Sequence, residues 1–189
     1  MDGTIKGSVL ASRRRLVLER FGQEALDRIL AALPPADREV LEGIVLPSAF
    51  YPMAVQVRLD AAIVALGGES GAEAFRELGR QSAADNLTRY QSAISRGKSP
   101  MGLLHQTAAI YRLYYGTGRR EFVETGPTSG VITTYDASGV TLADCLTVVG
   151  WHERALEIVG ARHVSITHPI CRAKGGSVCR YEVSWTDAP

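Results

Sequence analysis

The chain has 189 residues, of which 46% are hydrophobic and 22% charged, and a formal net charge of +1. This length and composition predict a single globular domain covering residues 1–189. The near-neutral charge and the lack of a basic stripe argue against nucleic-acid binding. Apolar runs never approach about 18 residues, and no signal peptide precedes the first helix. We therefore expect a cytoplasmic protein without a membrane span, whose cysteines stay reduced.

Helices are predicted through most of the first 115 residues, because apolar side chains recur there three and four positions apart. The predicted first helix begins at Arg13 with Ser12 as its cap and has a break or joint at Gly22. A stiff turn between Pro47 and Pro52 follows the second helix. The predicted helices span, in chain order, residues 13–33, 35–45, 55–66, 70–97 and 100–115.

Short strands are predicted after residue 118. Residues 122–124 and 131–135 form a predicted hairpin around Gly126-Pro127. A helix is predicted over residues 143–159. It is followed by strands at 163–167 and 178–185 that Gly175-Gly176 separates. The order of elements therefore predicts an α+β fold, with N-terminal helices packed on a small antiparallel sheet.

The three cysteines all follow residue 144, and one histidine is close to them in sequence. Cys171 and Cys179 flank the predicted Gly175-Gly176 turn, His168 ends the preceding strand, and Cys145 is in the first turn of a helix. Three thiolates and one imidazole form a complete tetrahedral set for Zn²⁺. On local spacing alone, two alternatives stay open: packed thiols in the core, or a disulfide between Cys171 and Cys179.

The segment from His168 to Trp185 resembles the C-terminal signature of the 4-vinyl reductase domain family, which shares the haem-NO-binding-like fold with vesicle-tethering subunits. In the aromatic-sensing transcription activators of that family, Cys, Glu, Cys and Cys hold zinc with 22, 2 and 7 intervening residues. Cys145, His168, Cys171 and Cys179 have the same three spacings, with His in place of Glu. The resemblance therefore implies a closed, structural zinc site at these four residues.

The chain also resembles a paralogous family of uncharacterised myxobacterial proteins with this fold. That likeness supports the fold more than a function. The stretches that carry it are Gly7–Ala11, Arg20–Gly22, Leu46–Pro52, Gly150-Trp151 and Cys171–Gly175.

The resemblance further implies an apolar ligand pocket beside the metal. The phenol sensors of the family have tyrosines where this chain has Val149 and Ile166, so a more apolar ligand, or none, is expected. Each aromatic candidate could instead be an ordinary core residue. The candidate pocket residues are Phe50, Tyr51, His105, Tyr111, Tyr115 and Trp151.

Haem is the cargo of related sensors, and His105 or His152 could in principle be its axial ligand. We expect both histidines to be partly exposed helix residues instead. The haem sensors also use a Tyr-x-Ser-x-Arg clamp that Tyr111–Tyr115 does not supply. The sequence therefore argues against haem.

The sequence contains none of the common hydrolase, metalloprotease or nucleotide-binding motifs, so we expect no catalysis. The favoured interpretation is a sensing or regulatory signalling domain, with structural zinc and an apolar ligand, that forms a homodimer and acts through a separate output protein. The alternative is a scaffold module of the vesicle-tethering type without a ligand. An enzyme ranks last.

Overall fold

A computed structural model describes residues 3–94 and 99–187. The fold is α+β, as predicted, with helices first and a four-stranded antiparallel sheet second. A short 3₁₀ turn at Arg172–Lys174 precedes the last strand. The elements are β1 (Thr4–Lys6), α1 (Gly7–Ala32), α2 (Pro35–Glu42), β2 (Phe50–Pro52), α3 (Met53–Ile94), α4 (Pro100–Leu104), α5 (Thr107–Tyr114), β3 (Arg119–Gly126), β4 (Ser129–Tyr135), α6 (Leu142–Ile158), β5 (Arg162–Ile170) and β6 (Cys179–Thr186).

The two long helices are kinked where the sequence predicts breaks. Gly22 in α1 has φ 81°, and Gly68 in α3 has φ 56°, a region that glycine enters without steric cost. The predicted break at Gly22 is therefore confirmed, and the kink at Gly68 lies in the gap between the predicted helices over residues 55–66 and 70–97. The predicted end of the following helix at Gly97 lies outside the described residues.

Two local predictions in the helical half are wrong. Ser12 does not cap α1, because the helix already begins at Gly7 and the Ser12 hydroxyl donates to the Val9 carbonyl inside it. The segment predicted as a stiff turn between Pro47 and Pro52 contains strand β2, which pairs with β1. Pairing with a distant three-residue strand leaves no local signal, so the pattern around either segment could not reveal it.

The predicted helix over residues 100–115 is divided in two. Ser99 caps α4 as expected, since its hydroxyl accepts a hydrogen bond from the Gly102 N–H. The chain then turns at His105 and Gln106 before α5 begins. The apolar positions on either side keep the same three- and four-residue spacing, so periodicity alone could not show the turn.

The main sheet has the order β3-β4-β6-β5. The predicted hairpin is present as β3 and β4, and the two later predicted strands, β5 and β6, pair with each other. Along β6, Cys179, Tyr181, Val183 and Trp185 are buried and the residues between them are not, as predicted. Helix α6 packs closely against α3 on one side and takes part in the core beside the sheet on the other. It is therefore the element that joins the helical half to the sheet.

None of the helices within residues 3–94 and 99–187 is long and apolar enough to cross a bilayer.

Candidate functional site

Cys145, His168, Cys171 and Cys179 converge between the start of α6 and one end of the sheet. One ligand atom from each residue lies within 4.8 Å of the ligand atoms of the other three. The Cys145 sulfur is 3.8 Å from the Cys171 sulfur and 3.9 Å from the Cys179 sulfur. All three cysteines are free and buried. The open alternative of a Cys171–Cys179 disulfide is therefore absent from this structure.

Local geometry around the 3₁₀ turn brings Cys171 and Cys179 together. Cys171 caps the turn, and Gly175 ends it in the left-handed conformation, with φ 88°. A Cβ at Gly176 would lie 2.9 Å from the Cys171 carbonyl oxygen, so the chain needs glycine to fold back here. The Arg172 N–H then points at the Cys179 sulfur, at 3.5 Å. A backbone amide directed at sulfur favours the thiolate form.

Cys145 approaches from the opposite side, on the first turn of α6. Thr141 caps this helix through a hydrogen bond from the Asp144 N–H to its hydroxyl. The contact between the Cys145 and Cys179 sulfurs lowers the pKa of Cys179 to about 4, against the opposing effect of burial. The same contact, together with burial, raises the pKa of Cys145. The contact therefore favours the thiolate form of Cys179 over that of Cys145.

His168 completes the group. Its ring stacks on Tyr181, with the centroids 4.3 Å apart and the planes 7° from parallel. The Nε2 atom is buried and has no hydrogen-bond partner within the described parts of the chain. A buried polar nitrogen without a partner is costly, so it indicates a group that a ligand would satisfy.

These distances fit a tetrahedral metal site. Sulfur ligands about 2.3 Å from zinc would lie about 3.8 Å from one another, which matches both sulfur–sulfur distances from Cys145. Four protein ligands would fill the coordination shell. Such a site leaves no position for a reactive water, so it can stabilise the fold but not catalyse hydrolysis.

A second candidate site is a cavity of about 390 Å³ between α1, α3, α5 and α6. Of the six residues predicted to line a pocket, Tyr111, Tyr115 and Trp151 are on its wall. The tyrosine rings stack 4.6 Å apart. The other three, Phe50, Tyr51 and His105, are not among the residues that line this cavity.

Those three residues make contacts elsewhere. Phe50 is exposed, and the Tyr51 hydroxyl accepts a hydrogen bond from the Leu46 N–H. His105 is 55% exposed, bonds to Glu124 and packs edge-on against Phe122.

One side of the cavity is a buried charged network that the sequence analysis missed. The Arg13 guanidinium donates to Asp60 at 2.6 Å and to Asp144 at 3.1 Å. Asp144 also accepts from Gln56 and from the Tyr115 hydroxyl. Burial raises the pKa of Asp60 despite the opposing charge of Arg13. The network therefore ties α1, α3, α6 and the residue that follows α5 together through largely buried groups.

Arg13 and Asp60 did leave a signal in the sequence. Arg13 lies three positions after Leu10 and four before Val17, and Asp60 lies three before Ile63, so each charged residue occupies an apolar stripe. A charge at a stripe position requires a buried partner. The sequence does not show which residues those partners are.

His152 also lines the cavity, on α6. It is 3% exposed, so the expectation of a partly exposed residue is wrong for this histidine. Its Nδ1 is 2.8 Å from the Val148 carbonyl oxygen, which fixes the proton on Nδ1 and leaves Nε2 as an acceptor. Nε2 has no hydrogen-bond partner in the described structure. Burial, and then the charge of Arg120, lower the pKa of His152 to about 3.

Solved structures of H-NOX proteins share this fold. The H-NOX protein from K. algicida, in the Fe(II) unliganded state, has a TM-score of 0.76 with 13% identity, covering 97% of this chain and 98% of that one. An H-NOX protein from S. oneidensis, in the Fe(II)NO ligation state, has a TM-score of 0.72 with 12% identity over 97% and 100% of the two chains. At this identity the likeness shows the fold alone. No family model matches the chain, and no curated protein sequence does.

These comparisons change two expectations. The haem-NO-binding-like fold is confirmed, but neither family models nor sequence matches support the 4-vinyl reductase or the myxobacterial resemblance. The expectation against haem is wrong. The fold neighbours include the S. oneidensis H-NOX protein in the Fe(II)NO ligation state and a structure from a study of haem distortion in the H-NOX family. The second structure has a TM-score of 0.71 with 12% identity over 98% and 97% of the two chains. A missing Tyr-x-Ser-x-Arg motif did not justify excluding haem, because the fold can place other side chains around a pocket.

Proposed function

We propose that this chain is a non-catalytic small-molecule-sensing domain, in which a structural zinc site fixes the start of α6 and a ligand occupies the cavity along the same helix. The observation that carries the proposal is the position of His152. Its Nε2 is a buried acceptor without a partner, on the wall of a cavity whose volume is in the range of ligand pockets. The H-NOX fold supports a sensing role.

Helix α6 supplies the physical link between the two sites. Cys145 belongs to the metal cluster, while Asp144, Val148 and Trp151 line the cavity. A ligand that fits one position of α6 better than another shifts the population toward that position. Zinc would hold the first turn of the helix in place, so the shift would be expressed further along it. The output passes to a homodimer partner or a separate protein.

Haem is the first occupant to test, because the fold neighbours include haem proteins. The residues present fit it at one point: His152 Nε2 is neutral, buried and free to bind iron, whereas His105 bonds to Glu124 outside the cavity. When bound, haem would supply an iron centre able to bind diatomic gases. His152 would hold it, and Tyr111, Tyr115 and Trp151 would exclude water around it.

The test is a hemin titration of the purified chain, followed by the Soret absorbance. We expect one hemin per chain, a shifted Soret band, and loss of that band in His152→Ala. His105→Ala is the matched control, since it removes an exposed histidine outside the cavity. Equal spectra for wild type and His152→Ala would show that His152 holds no haem. Binding of a neutral apolar dye, and its displacement by other apolar molecules, would then still support a ligand pocket.

The scaffold alternative has one observation in its favour. Ile44 is 88% exposed, and Leu46 and Phe50 in the same segment of the chain are also exposed, which is typical of a protein-contact surface. If this segment mediates self-association, Ile44→Ser should reduce the apparent mass in sedimentation velocity. A monomeric wild type would contradict that role.

A further inference from the structure

A buried arginine on the cavity wall has no acidic partner among residues 3–94 and 99–187. Arg120 is 7% exposed and lies on β3. Its Nε donates to the Thr134 hydroxyl at 2.9 Å, and its guanidinium lies 4.7 Å from the centre of the Tyr111 ring. Across the described residues, no carboxylate lies within salt-bridge distance of Arg120. Thr134 and Tyr111 stabilise the cation, but neither supplies a carboxylate to pair with it.

The acids on the same cavity wall have other partners. Asp144 accepts hydrogen bonds from Arg13, Gln56 and Tyr115. Asp85, near the exposed rim, pairs with Arg15. Removing a charge from water without a counter-ion is expensive, and a guanidinium binds a carboxylate through two parallel hydrogen bonds. Arg120 is therefore suited to bind an anionic group that enters the cavity.

His152 offers a second polar contact for a ligand in the same cavity. The electrostatic effect of Arg120 reaches its ring, and both residues line the cavity. Because Nδ1 donates to the Val148 carbonyl, Nε2 can accept a hydrogen bond from an O–H or N–H group, or bind a metal. The remaining wall is largely apolar or aromatic, with Val9, Leu78 and Ile110 among its residues.

We propose that the cavity binds an organic acid with an apolar ring body, whose carboxylate pairs with Arg120 while His152 Nε2 receives the second contact. This inference rests on the sensing function and names its ligand class. The carboxylate could belong to a small ring acid, whose O–H or N–H would donate to His152, or to a porphyrin. A volume of about 390 Å³ equals that of about thirteen waters, which sets the size of the small probes.

The experiment compares indole-3-acetate with indole-3-acetamide, which is neutral and of nearly the same shape. Calorimetric titration should show that wild type prefers the acid, and that Arg120→Gln weakens acid binding about 10- to 100-fold without affecting the amide. Arg120→Lys keeps the charge and should retain part of the preference. Arg119→Gln is the matched control, because its side chain is 56% exposed and pairs with Glu121. Circular dichroism of each variant checks folding.

A parallel arm with hemin distinguishes the sources of the carboxylate. If only hemin binds, and Arg120→Gln weakens it, the acid is a porphyrin. If acid and amide bind wild type equally, Arg120 does not select a carboxylate, although a ligand pocket remains. If indole-3-acetate, its amide and hemin all fail to bind, the carboxylate proposal is overturned. Failure of a neutral apolar dye to bind as well would overturn the sensing function.

Discussion

Asp144 and Cys145 are neighbours in α6, yet they belong to two sites that bury charge in opposite ways. Asp144 faces the helices and joins Arg13 and Asp60 in a network whose positive and negative groups are all supplied by the chain. Cys145 faces the sheet and joins two other thiols and His168, a set with no cation of its own. The network is thus stable as folded, whereas the cluster would depend on a metal from outside. We therefore expect the cluster to respond to metal removal and the network to respond only to substitution.

The largest effect is expected from the cluster. Removing metal with a chelator, or replacing Cys171 with Ser, should lower the free energy of unfolding by more than about 4 kcal/mol, because metal binding to a structural site is coupled to folding. Urea denaturation measures the change, and elemental analysis of wild type should find one zinc per chain. Thr167→Ser, at an exposed position of β5, is the control. Well under one zinc per chain in reduced protein would contradict the metal site.

The charged network should respond to substitution but not to chelators. Arg13→Met leaves Asp60 and Asp144 buried without their cation, which should cost about 3 kcal/mol. The double variant Arg13→Met with Asp60→Leu removes one of the stranded charges and should recover part of this loss. Urea denaturation with and without chelator checks both points. Asp60→Leu alone completes the comparison. If the losses of Arg13→Met and Asp60→Leu simply add in the double variant, the two residues do not interact as the structure indicates.

The same contrast explains what could be predicted from the sequence. Cysteine and histidine are few, so the spacing of Cys145, His168, Cys171 and Cys179 was enough to predict that they converge. The Arg13 network joins residues 47 and 131 positions apart, and arginine and aspartate are common. Their buried positions could be suspected from the apolar stripes, but only packing decides which charges meet. The turn at His105 and the β1–β2 pair were missed for a related reason, since contacts outside the local pattern determine both.

The close contact between α3 and α6 tests packing in the absence of a change in charge. A Cβ at Gly150 would lie 1.9 Å from the Arg76 carbonyl oxygen, and one at Gly79 would lie 2.1 Å from that of Thr147. Gly150→Ala should therefore push the helices apart and cost about 2 kcal/mol. Gly67→Ala is the comparison, because its nearest neighbour is the Phe21 ring at 3.2 Å, which can move. Equal losses for both variants in urea denaturation would contradict the close crossing.

The smallest effect concerns His152, on the side of α6 that faces the cavity, and appears as a pH dependence. Its pKa is lowered by burial, and then by the charge of Arg120, to about 3 in the folded protein, below the unfolded value of about 6.5. The unfolded state therefore binds the additional proton as the pH falls below about 6.5. The stability contributed by neutral His152 is complete above that pH and is lost as the pH falls toward 3. At up to about 1.4 kcal/mol per pH unit, less than about 2 kcal/mol is lost between pH 6.5 and 5, the range measured.

His152→Gln should remove this contribution, so its free energy of unfolding should fall less steeply than that of wild type between pH 6.5 and 5. Any acid release of metal from the cluster affects both proteins and cancels in the difference. His105→Gln is the matched control and should keep the wild-type slope, because His105 is largely exposed. Parallel slopes for wild type and His152→Gln would mean that His152 is hydrated or protonated in the folded state. The acceptor proposed for the ligand would then be absent, while the prediction for the cysteine–histidine cluster would be unaffected.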